Sequence, residues 1–322
     1  MKSSRRAHRV RLVARGEGIN PSALRAQRRT EDIVMRKMPP AKIEITVVIP
    51  VKNEEKNLEN CLAALGRFTE IVVVDSGSTD RTRDIAQAAG ARTIDFNWNG
   101  RYPKKRNWVL SSQTLVNEWV LFLDADEVVN DRFCDEVAAA INSGHHVGFW
   151  LNYTNYFIGR RLRYGVPQRK LALFKIGLGF YERIEEESWS SLDMEVHEHP
   201  VVDGSVGEIV AKIDHRDFRG VDKFLLRHID YAMWEARRYL KLRAESDSRS
   251  SQLTFRQRFK YRNLERPWYS TFYFCFAFFF RAGFLDGGAG YAYAFYKAWY
   301  FYTVRLMILE LRGRETSFLT RS

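Results

Sequence analysis

The chain has 322 residues, 45% of them hydrophobic, enough to bury a core and to form one or two domains. Its 51 Lys and Arg against 39 Asp and Glu leave a net charge of +12, which favours anionic partners: nucleotide phosphates, nucleic acid or an acidic membrane face. Cys61, Cys134 and Cys275 are isolated, with no CxxC and no metal-type spacing, so a disulfide scaffold is excluded and reduced thiols in a cytoplasmic setting are expected.

Residues 1–42 hold twelve basic and three acidic side chains and few large apolar ones. They read as a disordered basic leader, and without an apolar h-region no secretory signal is expected. From Ile43 the pattern changes. Ile45–Pro50 and Ile71–Asp75 are short β-branched runs, as in strands buried on both faces. Between them Glu54–Arg67 has helical spacing at Leu58, Cys61, Leu62 and Leu65. Asp80–Ala89 predicts a second helix, Ala91–Phe96 a third strand, Lys104–Leu115 a third helix and Trp119–Asp124 a fourth strand. This alternation predicts an α/β domain with a parallel sheet over 43–218.

The remainder, 219–322, reads as helical, basic and aromatic. Val221–Leu242 and the strongly cationic Phe255–Arg266 precede two aromatic-rich stretches, Trp268–Phe280 and Tyr291–Leu311. The first is too short to cross a hydrocarbon layer of roughly 30 Å at about 1.5 Å per residue. The second contains Lys297 and Arg305. Cationic flanks with dense Trp and Tyr suit helices lying in a membrane surface, the alternative being core helices or an oligomer contact.

The chemistry centres on the fourth strand, where Trp119-Val-Leu-Phe-Leu runs into Asp124-Ala-Asp126-Glu127. A buried strand ending in Asp-x-Asp delivers paired carboxylates to the carboxyl edge of the sheet, where open α/β folds bind ligands. Hard cations such as Mg²⁺ or Mn²⁺ take oxygen ligands there and bridge to substrate phosphates. Asp-x-Asp alone also suits turns and helix caps. Three further segments sharpen it: Ile49-Pro50-Val-Lys-Asn53-Glu54-Glu55, Val74-Asp75-Ser-Gly-Ser-Thr-Asp80, and Lys104-Lys105-Arg106-Asn107.

In this order the segments resemble the family 2 glycosyltransferases of the GT-A fold. The finer segments Leu171–Lys175, Val196-His197-Glu198 and Gly283–Gly287 resemble the branch that adds β-glucose to lipopolysaccharide core. The resemblance implies a Rossmann-like nucleotide-diphospho-sugar transferase fold, with a mixed, mainly parallel sheet and membrane-associating C-terminal helices. It implies that Asp75 contacts the nucleotide base, with Pro50, Asn53 and Glu54 in the same pocket. Asp124 would serve ribose and diphosphate, and Asp126 would ligate a divalent cation, Mg²⁺ or Mn²⁺, with His215 as a further candidate ligand. Lys104 and Arg106 would lie near the nucleotide or its phosphates. Glu198 would be the general base, with Glu195 and His197 as fallbacks.

The implied reaction is inverting transfer of a sugar, glucose from UDP-glucose, to a hydroxyl of a lipid-anchored glycan at the cytoplasmic face of the inner membrane. The alternatives are a polyprenyl-phosphate glycosyltransferase or another family 2 enzyme of envelope assembly. A nucleic-acid-binding protein is not expected, because the excess charge sits in the leader and the aromatics form long apolar runs. The chain departs from the branch at Ala172, where an arginine is more usual; Arg169 and Lys170 are the nearby cations.

Overall fold

A computed structural model describes residues 41–184, 186, 190, 192–195, 198–244 and 254–319. The basic leader 1–40 and His197 lie outside these residues. Lys42–Ser322 forms one compact unit.

The first half of the sheet follows directly from the β-branched runs. Strands β1 (Ile43–Val51), β2 (Phe68–Asp75), β3 (Arg92–Asp95) and β4 (Trp119–Phe122) are parallel, in the order β3-β2-β1-β4. Helices α1 (Leu58–Ala63), α2 (Thr82–Ala88) and α3 (Lys105–Ser112) make the crossovers. The interior of β1 and all of β4 are buried, as a strand covered on both faces requires. Helix α1 starts later than its apolar spacing suggests, because Asn53 adopts a left-handed conformation at φ 57° and turns the chain towards the β2 loop.

The second half extends the sheet past β4. Strands β5 (Glu127–Val128), β6 (Gly148–Phe157), β7 (Arg160–Arg161), β8 (Arg169–Lys175) and β11 (Val206–His215) complete a nine-stranded mixed sheet, ordered β3-β2-β1-β4-β8-β6-β11-β5 with β7 beside β6. Strand β8 is antiparallel to both β4 and β6, whereas β6 and β11 are parallel. A separate hairpin pairs β9 (Gly179–Tyr181) with β10 (Pro200–Val202). Helix α4 (Asp131–Asn142), capped by the Asn130 side chain on the Phe133 N–H, lies against β11. The three cysteines are free thiols, as expected.

The C-terminal stretches are helical: α5 (Val221–Ala244), α6 (Phe255–Asn263), α7 (Tyr269–Cys275) running into a wide turn over Phe276–Phe280, and α8 (Gly287–Leu319). Among the described residues no helix is long and apolar enough to cross a membrane. Two clusters bury the inner faces. Ala232, Ala236 and Tyr239 of α5 meet Tyr300, Val304 and Ile308 of α8, and Phe157 and Leu162 of the sheet domain meet Tyr296.

The short turn before α8 is clamped to the sheet domain. The Asp286 carboxylate accepts from the backbone N–H groups of Arg163 and Tyr164, and the Gly165 N–H donates to the Arg281 carbonyl at 2.8 Å. A Cβ at Gly290 would overlap the Gly283 carbonyl, so the turn closes only around glycine. Replacing Asp286 by Ala should leave two backbone donors unpaired and cost about 1–3 kcal/mol. Hydrogen exchange should rise at Arg163–Gly165 and at the start of α8 while β1–β4 stay protected; unchanged exchange at both segments would count against the clamp.

Candidate active site

The parallel strands end at one edge, and their register levels the candidate groups. Val51 pairs with Asp75 and Asp75 with Asp95, while the Leu123 N–H donates to the Val48 carbonyl. The ends of β1, β2 and β4 therefore open onto one crevice, the place where such sheets bind ligands.

On the β2 side, Asp75 is 1% exposed and accepts from the backbone and hydroxyl of Ser78. Arg83 stands 3.7 Å from it. The Asn53 side chain accepts from the Thr79 N–H at 2.8 Å and the Asn53 N–H donates to Ser78, which stitches the β1 loop to the β2 loop. Pro50 is buried in β1 opposite Val74. Glu54 is drawn away from Asp75: its carboxylate meets Asn57 and Arg219. Burial, only partly offset by Arg219, pushes the Glu54 pKa up from 4.5 to about 7.

The β4 end carries the densest charge. Arg106 Nη2 lies 2.7 Å from Asp124 Oδ1, and Lys170 Nζ bonds both Asp124 and Glu127. Burial opposes ionisation of Asp124, but Lys170 and Arg106 overcome it and hold the carboxyl far below the usual range. Asp126 is also buried, and His215 outweighs that burial to keep its carboxyl low. His215 Nε2 is 3.4 Å from Asp126 Oδ2, and Nδ1 is 3.2 Å from Asn155 Oδ1. Burial lowers the His215 pKa, yet Asp126 raises it overall. Glu127, buried deepest, is pushed up by desolvation despite Lys170.

Asp126 and His215 thus offer one carboxylate and one imidazole side by side. Among the described residues no group of three or more His, Cys, Asp or Glu is placed to hold a metal ion. Two protein donors suit a hard divalent cation that takes its remaining ligands from water and substrate phosphates.

Lys104 goes elsewhere. Its ammonium meets Glu186 and Glu198, the latter at 2.8 Å, so the structure puts it on the Glu198 side of α3 and not beside Asp124. Glu198 is 6% exposed. Burial and the neighbouring Glu198 raise the Glu186 pKa. A small cavity opens here, bordered by Trp98, Arg101, Tyr102 and Ile184 as well as by Glu198. Glu195 also borders this cavity, and its carboxylate accepts from the backbone N–H groups of Arg106 and Asn107 and so caps α3.

Lys170, Glu127 and Arg219 join the site without having been assigned to it from sequence. Arg219 couples Glu54 to Asp217, which also holds Arg227 of α5. Arg169, by contrast, turns to Trp150 and Glu208.

Against known proteins, residues 46–195 match the family model described as glycosyl transferase family 2. The chain carries a family 2 glycosyltransferase domain. It is 32% identical over 181 residues to the lipopolysaccharide core biosynthesis glycosyltransferase LpsC of Rhizobium meliloti, covering 52% of this chain and 60% of that one. It is 34% identical over 111 residues to an uncharacterized glycosyltransferase of Rickettsia typhi, covering 34% and 37%. Among solved structures, Staphylococcus aureus TarS 1–349 with UDP-GlcNAc matches 39% of this chain and 37% of that chain at 30% identity and a TM-score of 0.33. The chain spans 60% or less of the length of each of these proteins.

Two outcomes test this electrostatic arrangement. Lys170→Gln strips the cation from the buried Glu127 and the half-buried Asp124 and should cost about 1–3 kcal/mol in denaturant unfolding, with Lys170→Arg much milder. If Gln and Arg behave alike, Lys170 is not balancing Asp124 and Glu127. In metal-free protein, Glu54 holds its proton in the folded state up to about 7 and in the unfolded state only up to 4.5. Its contribution to stability is full below the lower value and disappears as pH rises through the upper one. Glu54→Gln should therefore flatten the pH dependence of stability across that window by about 1–3 kcal/mol, and an unchanged slope would refute the shift.

Proposed function

We propose that the chain is an inverting glycosyltransferase that moves glucose from UDP-glucose to a hydroxyl of a lipid-anchored glycan such as lipopolysaccharide core. The observation that carries this reading is the Asp124-Ala-Asp126-Glu127 turn at the carboxyl edge, balanced by Arg106, Lys170 and His215 and level with Asp75. The identity to LpsC over half of the chain supports the envelope-glycan acceptor.

In this reading Asp75 accepts from the nucleotide base, in a loop fixed by Asn53 and Ser78. Asp124, kept ionised by its two cations, accepts from ribose hydroxyls and fixes the donor's orientation. Arg106 and Lys170 place positive charge beside the diphosphate. Asp126 and His215 would hold Mg²⁺ or Mn²⁺, which when bound supplies Lewis-acid stabilisation of the departing diphosphate. Glu198 takes the acceptor proton, with Lys104 setting the orientation of its carboxylate.

The pairing of Glu198 with Lys104 also favours a second reading. A carboxylate whose oxygen is already engaged by a buried lysine is less free to take an acceptor proton, which suits an acceptor that is already anionic, such as a polyprenyl phosphate. Glu198→Gln separates the two: activity should fall by at least about a hundredfold for a hydroxyl acceptor and remain largely intact for a phosphate.

The primary test is a thermal-shift and hydrolysis screen of nucleoside-diphosphate sugars with and without Mg²⁺ or Mn²⁺. UDP-glucose should stabilise the protein, more so with metal, and Asp126→Asn should abolish the metal increment while sparing part of the metal-free shift. If no nucleoside-diphosphate sugar binds under any condition, the transferase reading is wrong.

A further inference from the structure

The C-terminal helices bury only one side of themselves. On α7 and the turn after it, Phe272, Phe276, Phe279 and Phe280 recur at helical spacing on one outward stripe, with Phe279 57% and Phe280 81% exposed. Past the turn Phe284 and Leu285 are 48% and 55% exposed, and on α8 Tyr291 and Phe295 are 51% and 57% exposed. Ring contacts make these one surface. Phe259 of α6 lies 6.2 Å from Phe272, Phe278 lies 6.3 Å from Phe284, and Tyr291 lies 5.7 Å from Phe274 and 6.2 Å from Phe295. An aromatic face continuous across four segments is far more than scattered surface apolar residues.

The border of this face is cationic. Helix α6, Phe255–Asn263, contains no acidic residue, and Arg256, Arg258 and Arg262 are exposed on it. Arg266 and Arg281 are exposed at the two ends of the α7 stripe. Self-association through the same face would bring these arginines towards their own copies and repel, whereas phosphate headgroups would neutralise them. No described helix can cross a bilayer, so the geometry suits helices lying in its surface.

We propose that this outward face of α6, α7 and the start of α8 seats the protein on an anionic bilayer surface, such as the cytoplasmic leaflet of the inner membrane, with the phenylalanines at the acyl boundary and the arginines among the headgroups. The placement deepens the reading of a lipid-anchored acceptor and rests on that reading for its purpose. Its test needs neither donor nor acceptor, so either can fail alone.

The full chain should float with vesicles of phosphatidylcholine containing phosphatidylglycerol and much less with phosphatidylcholine alone. Phe279→Glu with Phe280→Glu should weaken flotation by about tenfold or more, as should Arg258→Glu with Arg262→Glu. Phe280→Trp should retain it, and circular dichroism and melting of all variants should match the parent. If the doubly acidic variant floats like the parent, another surface, such as the basic leader, carries the binding and the proposal fails. It fails equally if the parent ignores anionic vesicles, or if it sediments as a dimer that Phe280→Glu dissociates.

Discussion

Charge balance at the carboxyl edge of the sheet governs the whole arrangement. Asp126 and Glu127, both buried, converge with the half-buried Glu54 and Asp124, and an unpaired buried carboxylate there would cost several kcal/mol. The cations that answer them come from distant parts of the chain: Arg106 from α3, Lys170 from β8, His215 from the end of β11 and Arg219 from the approach to α5. The first four strands can place the acids but cannot neutralise them. The second half of the sheet is therefore a condition for the charge balance at the first half's carboxyl edge.

The same constraint explains how the Glu198 segment is attached. Arg106 reaches Asp124 only because α3 begins where it does, and Glu195 and Asn107 fix that beginning. Glu195 caps the first turn, while the Asn107 amide bonds both the N–H and the carbonyl of Tyr181. Tyr181 in turn lies beneath the Arg106 guanidinium, 5.3 Å from ring centre to the guanidinium carbon. The segment that carries Glu198 is thus tied to the helix that carries Arg106. Lys104 and Arg106, two residues apart, leave that helix start in roughly opposite directions, one towards Glu198 and one towards Asp124.

Strands β1, β2 and β4 were legible because each carries a continuous β-branched or apolar run, and β3 (Arg-Thr-Ile-Asp) from its place in the regular alternation with the crossover helices. Strands β6, β8 and β11 were not, because they mix apolar residues with Trp150, Asn152, Arg169 and Lys212 and pair partly antiparallel. The site shows the same divide. Asp75, Asp124 and Asp126 stand at the ends of legible strands, whereas Lys170 could not be chosen over Arg169 until β8 was placed. Neighbouring residues of the strand then part: the Lys170 ammonium enters the crevice at Asp124 and Glu127, and Arg169 points away towards Trp150. The spacing that suggests Lys104 and Arg106 act together fails for the complementary reason, since residues two apart on a helix do not share a face.

The C-terminal helices pose the opposite problem, a pattern with too much apolar character to decode. In α8, Tyr296, Tyr300, Val304 and Ile308 recur every four residues and form the buried seam against α5, while Tyr291, Phe295, Tyr302, Leu306 and Leu309 face outwards. Lys297 does not interrupt this, because its ammonium lies over the rings of Tyr293 and Tyr296 at 5.5 and 5.8 Å. A helix that is apolar nearly all round reads equally as a core helix and as an interface helix, and here the packing fixes only the core side. Its inner seam is satisfied by the fold, and Asp286 clamps its start to the sheet domain. The outer face gains nothing from folding, so the pattern that leaves it aromatic is not explained by packing within the chain.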